Sequence, residues 1–186
     1  MDYDVKGNLH EVLGSLPAGV RLVAISKFHP NEYIEEAYAE GQRIFGESHE
    51  QELAKKVASL PEDIEWHFIG HLQTNKVKYI APYISMIESV DSLKLLKEIE
   101  KQAAKHNRVV KVLLELHLAE EDTKSGLSLD ACRELLEAGE WREMKHKSEE
   151  HTSRERVYTR RSSDLASRSS RQASRERPDL VSSSAR

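Results

Sequence analysis

Lys27 is the residue of this chain whose type and position best suit covalent chemistry. It ends a largely apolar run, residues 21–27, that is bounded by turn-forming residues. Such a run predicts a buried strand of a parallel sheet. A lysine at the carboxyl end of that strand lies where parallel α/β folds bind ligands, and a desolvated amine there can attack an aldehyde to form an imine. The alternative is a lysine that keeps its charge in water and lays its stem on apolar surface.

Ser48 follows the second apolar segment, residues 44–46, which has the length of a short strand. A serine followed three residues later by Gln51 is a capping-box pattern, so Ser48 is predicted to cap the next helix. A second role of its hydroxyl, beside a bound ligand, is the alternative.

His67 lies one residue inside a third predicted strand, residues 66–70. Its imidazole either faces the interior near a bound ligand or is a buried histidine hydrogen-bonded to backbone. His71 follows at the i, i+4 spacing of helical metal ligands, but Gly70 and the strand before it argue against a helix there. We therefore expect no metal site.

Strands and helices alternate along the chain after a first helix. The predicted strands are residues 21–27, 44–46, 66–70, 84–89 and 109–116. This alternation predicts an α/β fold with a parallel sheet and right-handed crossovers. The first strand is not followed by a Gly-rich fingerprint, which disfavours a dinucleotide-binding fold. A closed barrel needs eight strands, so with five the first and fifth strands would be exposed edges, and we expect an unstable or self-associating protein.

The composition indicates a cytoplasmic protein. The single cysteine, Cys132, cannot form an internal disulfide, and the acidic, polar N-terminus does not resemble a signal peptide. No apolar run approaches the roughly 20 residues that span a bilayer. Residues 1–146 carry 18 Lys and Arg against 26 Asp and Glu, so nucleic acid is not expected as the partner of this region.

Residues 147–186 have a different character from the rest of the chain. They carry 10 Lys and Arg against 6 Asp and Glu, are rich in Ser and Arg, and show scarcely any apolar periodicity. Such a segment cannot bury enough surface to offset its ordering entropy, so it is predicted to be disordered. The domain boundary is therefore placed at residue 146.

Several motifs together resemble the pyridoxal-phosphate homeostasis protein family. They are Val23-Ala24-Ile25-Ser26-Lys27, Phe45-Gly46-Glu47-Ser48, Trp66-His67-Phe68-Ile69-Gly70-His71-Leu72-Gln73-Thr74-Asn75-Lys76, Ser89-Val90-Asp91-Ser92 and Lys124-Ser125-Gly126. The resemblance covers about residues 5–146.

The resemblance implies a barrel of the alanine racemase N-terminal type, incomplete here. It implies that pyridoxal 5'-phosphate (PLP) is held as a Schiff base on Lys27, with Ser48 and His67 as further cofactor-binding residues. It also implies a non-catalytic protein of intracellular PLP homeostasis, with PLP-dependent apoenzymes as candidate recipients of the cofactor.

Two departures from the family pattern stand out. Ser48 replaces a common asparagine, and a serine side chain reaches less far and has fewer donors. The late strand–helix units, whose loops hold the cofactor phosphate in the family, have no counterpart in residues 147–186. We interpret this segment as an out-of-frame translation, with a natural tail as the alternative, and we expect weak retention of PLP.

Two other functions stay open at this point. A racemase-like enzyme could act on amino acids through the same imine, although the family resemblance lacks the second catalytic domain of a racemase. Alternatively, the Arg- and Ser-rich tail could bind nucleic acid, but scattered acidic residues dilute its charge and Tyr158 is its only aromatic residue.

Overall fold

The computed structural model describes residues 3–117 and 126–139, together with the backbone of residues 157–160. Helices and strands alternate as the sequence predicts. In chain order they are α1 (Val5–Ser15), β1 (Arg21–Ile25), α2 (Asn31–Ala39), β2 (Ile44–Glu47), α3 (Glu50–Ser59), β3 (Glu65–Phe68), a 3₁₀ turn (Thr74–Lys76), α4 (Val77–Ile80), β4 (Met86–Val90), α5 (Leu93–Lys105), β5 (Lys111–Leu114), α6 (Leu129–Ala138) and β6 (Val157–Arg160).

The strands form one sheet in the order β5-β4-β3-β2-β1-β6, and every neighbouring pair is parallel. The predicted α/β fold with a parallel sheet is confirmed, and all five predicted strands are present. Because β5 and β6 lie at opposite ends of this order, the described strands form an open sheet, as expected of an incomplete barrel.

β1 is not an edge strand, contrary to the sequence-based expectation. Residues 21–24 pair in parallel with residues 157–160, so β6 covers the outer backbone groups of β1. The expectation was wrong because it assigned no strand to the segment after residue 146. The other residues of the predicted tail lie outside the described residues, as do Lys124 and Ser125 of the motif after β5.

The main core lies between the sheet and its helices. The strands contribute side chains such as Leu22, Phe45, Trp66, Phe68 and Ile87. The rings of Phe45 and Trp66, on adjacent strands, have centroids 6.0 Å apart. Full burial of such a side chain contributes about 1.5–3 kcal/mol, so this layer fixes the register that aligns the strand ends.

Several helix ends follow the signals in the sequence. The Ser92 hydroxyl accepts a hydrogen bond from the Leu95 N–H at the start of α5, and Ser128 accepts one from the Ala131 N–H at the start of α6. Gly139 ends α6 with a φ of 70°. Among the described residues, no helix is long and apolar enough to cross a membrane.

The predicted cap of α3 was wrong. This helix begins at Glu50 with His49 as its N-cap residue, and no side chain makes a capping hydrogen bond. Ser48 instead follows directly on β2, which ends one residue later than predicted. The serine is therefore too far from the first helical turn to cap it.

Candidate functional site

The sheet has an inner face opposite the helix core, and side-chain alternation assigns residues to it. In β1, Leu22 packs in the helix core, so Val23 and Ile25 point to the inner face. Gly46 lies against them: a Cβ added at Gly46 would meet Ile25 Cδ1 at 3.1 Å and Val23 Cγ1 at 3.2 Å. A side chain at position 46 would therefore crowd this face.

Lys27 lies just beyond the carboxyl end of β1, where the alternation assigns it to the inner face. Its side chain is half-buried, and its amine is 6.0 Å from the centroid of the Phe28 ring. Among the described residues, this amine has no hydrogen-bond or ion-pair partner. An unpaired amine at the ligand end of a parallel sheet is the arrangement that nucleophilic attack on a carbonyl needs.

Ser48 follows the carboxyl end of β2, as Lys27 follows that of β1. It is packed closely against the residues that follow β3, since a Cβ added at Gly70 would lie 2.8 Å from the Ser48 Cβ and 2.9 Å from its carbonyl oxygen. The Gly70 carbonyl in turn accepts a hydrogen bond from the Ser89 hydroxyl on β4. The carboxyl ends of β2, β3 and β4 are thus held together at Gly70.

His67 is on the inner face one level deeper than Lys27. It pairs in register with Gly46, which itself pairs with Ile25. The ring is 2% exposed, and its Nδ1 lies 2.7 Å from the Glu88 Oε1 on β4. His67 is therefore buried, as one interpretation of the sequence expected, but its partner is a carboxylate and not the backbone.

The structure gives no support to a metal site at His71. Its Nδ1 lies 3.3 Å from the Asp91 carboxylate, and His67 faces Glu88 instead. In the part of the chain that the structure describes, no group of three or more His, Cys, Asp or Glu residues could hold a metal ion.

A buried charged cluster, which lies on the helix side of the sheet next to the turn that carries Lys27, was not predicted from the sequence. The Lys56 ammonium on α3 is 4% exposed and donates three hydrogen bonds of 2.7 Å, to the Ser26 carbonyl, the Glu47 carboxylate and the Glu52 carboxylate. Two signals could have found it: Glu47 is an acidic residue in an apolar strand, and Lys56 follows the core residue Leu53 by three positions.

The two carboxylates of this cluster have opposite pKa shifts. Burial raises the pKa of Glu47, against the opposing effect of hydrogen bonds from Lys56 and Ser26. Its Oε2 is buried without a hydrogen-bond partner among the described residues, so only the Oε1 of this carboxylate is satisfied. Burial would also raise the pKa of Glu52, but hydrogen bonds from Lys56 and from the Phe28 N–H hold it below its ordinary value.

The chemistry of the inner-face groups fits a ligand that carries an aldehyde. Lys27 supplies an amine without a hydrogen-bond or ion-pair partner among the described residues, and Ser48 supplies a hydroxyl at the end of the neighbouring strand. Lys56 cannot serve as the nucleophile, because its three hydrogen bonds and its burial keep it from a ligand. PLP, the cofactor implied by the motif resemblance, carries such an aldehyde.

Solved structures share the fold of this chain. PipY from Synechococcus elongatus with PLP bound superposes with a TM-score of 0.67 at 35% identity, covering 73% of this chain and 63% of that one. The alanine racemase of Streptomyces coelicolor A3(2) has a TM-score of 0.59 at 16% identity, covering 73% of this chain and 37% of that one, a likeness of fold alone. The predicted fold class, an incomplete barrel of the alanine racemase N-terminal type, is confirmed.

Sequence relatives confirm the resemblance drawn from the motifs. The pyridoxal phosphate homeostasis protein of Aquifex aeolicus is 44% identical over 118 residues, which are 63% of this chain and 52% of that protein. The mouse protein of the same name is 43% identical over 117 residues, 58% of this chain and 42% of that protein. The chain spans about half the length of the curated relatives it matches. A family model described as alanine racemase, N-terminal domain, matches residues 4–149, and the chain belongs to that family.

Proposed function

We propose that this chain binds PLP through Lys27 and takes part in intracellular PLP homeostasis as a non-catalytic cytoplasmic protein. The observation that carries the proposal is the Lys27 amine, which has no hydrogen-bond or ion-pair partner among the described residues and follows β1 on the inner face. Relatives named pyridoxal phosphate homeostasis proteins support it. The likeness to PipY, whose structure has been solved with PLP bound, supports it as well.

The bond would form by attack of the uncharged Lys27 amine on the aldehyde carbon, with loss of water to give an imine. Ser48 would offer its hydroxyl from the end of β2. His67, held by Glu88 one level deeper, would support the inner face beneath the cofactor. Residues 1–146 would form the binding unit, with residues 157–160 as a further strand of its sheet.

The test is an absorbance titration of the full chain with PLP, followed by borohydride trapping and peptide mapping. We expect Lys27 to be the principal labelled residue and Lys27→Ala to lose that label. Lys55→Ala is the matched control, since Lys55 is an exposed lysine on α3. Equal labelling of the wild type and Lys27→Ala would disprove the proposal.

Retention of the cofactor is a separate outcome of the same experiment. Phosphate contacts are charge-assisted and would normally supply much of the affinity. Since the sequence of residues 147–186 offers no counterpart of the late family loops, we expect dialysis before borohydride to remove most of the label. Tight stoichiometric labelling after dialysis would overturn this expectation.

A racemase-like enzyme is the alternative of a different class. It predicts that the PLP-loaded chain exchanges the α-hydrogen of L-alanine with deuterium and forms D-alanine. We expect neither deuterium exchange nor formation of D-alanine. PLP-dependent apoenzymes are the proposed recipients of the cofactor.

A further inference from the structure

The turn that carries Lys27 has an unfavourable conformation for its sequence. The Ser26 carbonyl accepts a hydrogen bond of 3.1 Å from the His29 N–H, which makes Lys27 and Phe28 the central residues of the turn. Phe28 has a φ of 64°, a left-handed value that favours glycine at this position of a turn. The conformational preferences of residues 26–29 therefore do not stabilise this turn. Contacts with other parts of the chain must stabilise it instead.

Those contacts come from α3 and flank Lys27 on both sides. On one side the Lys56 ammonium donates to the Ser26 carbonyl at 2.7 Å. On the other side the Phe28 N–H donates to the Glu52 Oε1 at 2.7 Å. Lys56 also donates to the same Glu52 oxygen, so one pair of side chains holds both neighbours of Lys27.

Glu47 connects this pair to β2. Its Oε1 accepts hydrogen bonds from the Lys56 ammonium at 2.7 Å and from the Ser26 hydroxyl at 2.6 Å. Glu47 is completely buried and Lys56 is 4% exposed. Buried ion pairs of this kind contribute little net stability, because desolvation of the charges offsets their attraction. The charges of Glu47 and Lys56 between α3 and the sheet are therefore better explained by the specific geometry that they impose on the turn.

We propose that Glu47, Glu52 and Lys56 are positioning residues that hold the β1–α2 turn so that the Lys27 amine stands free on the inner face. The importance of that amine rests on the proposed function, whereas the restraint of the turn does not. The cluster lies on the helix side of the sheet and Lys27 on the inner side, so the three residues act through the backbone of residues 26–28 and not by contact with the ligand.

The experiment compares Lys56→Met with its exposed neighbour Lys55→Met in the full chain without PLP. Hydrogen–deuterium exchange of the peptide that covers residues 26–29 is the first readout, with the amides of α5 as an internal reference. Loss of the Lys56 hydrogen bonds should speed hydrogen–deuterium exchange in the turn about tenfold and leave the exchange rates of the α5 amides unchanged. The rate of PLP labelling of Lys27 under borohydride is the second readout, and it should fall in Lys56→Met alone.

A second pair of variants keeps the test decisive if Lys56→Met does not fold. Glu52→Ala removes the acceptor of the Phe28 N–H, and Glu52→Gln restores an oxygen at the same place. We expect fast turn exchange and slow labelling in the first and near wild-type values in the second. If Glu52 served only general stability, Glu52→Ala would also change the exchange rates of the α5 amides. Restored labelling in Glu52→Gln, with α5 exchange unchanged in both variants, therefore indicates a positioning role.

The outcomes separate this inference from the proposed function. Wild-type exchange of the turn in folded Lys56→Met and Glu52→Ala would overturn the inference, and so would faster exchange with an unchanged rate of labelling. Absence of Lys27 labelling in the wild type would instead refute the proposed function, while the exchange data would still decide whether the cluster restrains the turn.

Discussion

Lys27 and Lys56 are close to the same turn but have opposite surroundings. Lys27 is half-buried and its amine has no ion-pair partner among the described residues. Lys56 is almost fully buried, and its three acceptors satisfy every proton of its ammonium. One amine is thus without an ion-pair partner among the described residues, while the other is held by one carbonyl and two carboxylates.

Phe28 stores strain beside the proposed nucleophile. Its φ of 64° costs a residue with a Cβ about 1–2 kcal/mol. Phe28→Gly removes that cost, less about 0.5–1 kcal/mol of added backbone freedom in the unfolded chain. Phe28→Ala loses the same exposed ring but keeps the strain. We therefore expect Phe28→Gly to resist urea unfolding better than Phe28→Ala by up to about 1.5 kcal/mol; a less stable glycine variant would contradict this.

The pKa shifts of Glu47 and Glu52 predict opposite effects of pH on stability. Because the pKa of folded Glu47 lies above 4.5, its contribution is present below that pH and is lost as the pH rises through the folded-state pKa. Because the pKa of folded Glu52 lies below 4.5, its contribution is present above that pH and is lost as the pH falls through the folded-state pKa. His29 faces the same charges, and burial together with Lys56 lowers its pKa.

Urea unfolding of the wild type, Glu47→Gln and Glu52→Gln from about pH 3 to about pH 8 measures these effects. The difference in unfolding free energy between wild type and Glu47→Gln should fall as the pH rises. The difference between wild type and Glu52→Gln should grow. Differences that change in the same direction for both variants would show that the assigned shifts are wrong.

At the scale of residues, the sequence indicated Lys27 but not the cluster behind it. The position of Lys27 at the end of a strand could be predicted because its evidence is local: an apolar run that ends in a lysine. Its role stays a prediction, which rests on the family resemblance. Glu47 and Lys56 act together only after β2, α3 and the turn after β1 pack against one another, and this long-range arrangement leaves only weak traces in the sequence.

At the scale of elements, the close approach of β2 and β3 at Gly70 aligns the strand ends that form the site. A Cβ at Gly70 would lie 2.8–3.0 Å from three atoms of Ser48, two of them backbone. Backbone cannot move aside as a side chain can, so the strands would have to separate. Ser48 would move with them.

Gly70→Ala is therefore expected to destabilise the protein by about 1–3 kcal/mol, the usual cost of overpacking. Gly14→Ala is the matched control, since a Cβ there meets nothing within 4 Å and Gly14 lies in α1. In the helix the alanine should add up to about 1 kcal/mol. Thermal unfolding of both variants measures the contrast, and equal melting temperatures would refute it.

Element types were easier to predict than element ends. Five parallel strands could be predicted from apolar runs that alternate with helical patterns, because strands buried on both faces of a sheet are continuous apolar runs. The start of α3 was placed at Ser48 from a capping pattern, yet β2 runs on to Glu47 and the helix begins at Glu50. β6 was not predicted, since residues 157–160 carry no apolar run.

At the scale of the whole molecule, the described sheet ends at β5 on one side and at β6 on the other. β6 pairs with β1, whereas β5 ends the described sheet. Only beyond β5, at Leu116, does the described chain pair again, with Leu127. Val109, just before β5, is 58% exposed. An edge strand that no other described strand covers, with exposed apolar neighbours, is a template for association with another chain.

We expect sedimentation velocity to show association of the chain that increases with concentration. Val109→Lys should weaken it, because loss of one buried valine at about 1.5 kcal/mol corresponds to about a tenfold higher dissociation constant. Leu13→Lys is the control: Leu13 is 40% exposed on α1, away from β5, and its replacement should leave association unchanged. A wild type that stays monomeric at every concentration, or two variants with equal effects, would mean that the β5 edge does not drive association.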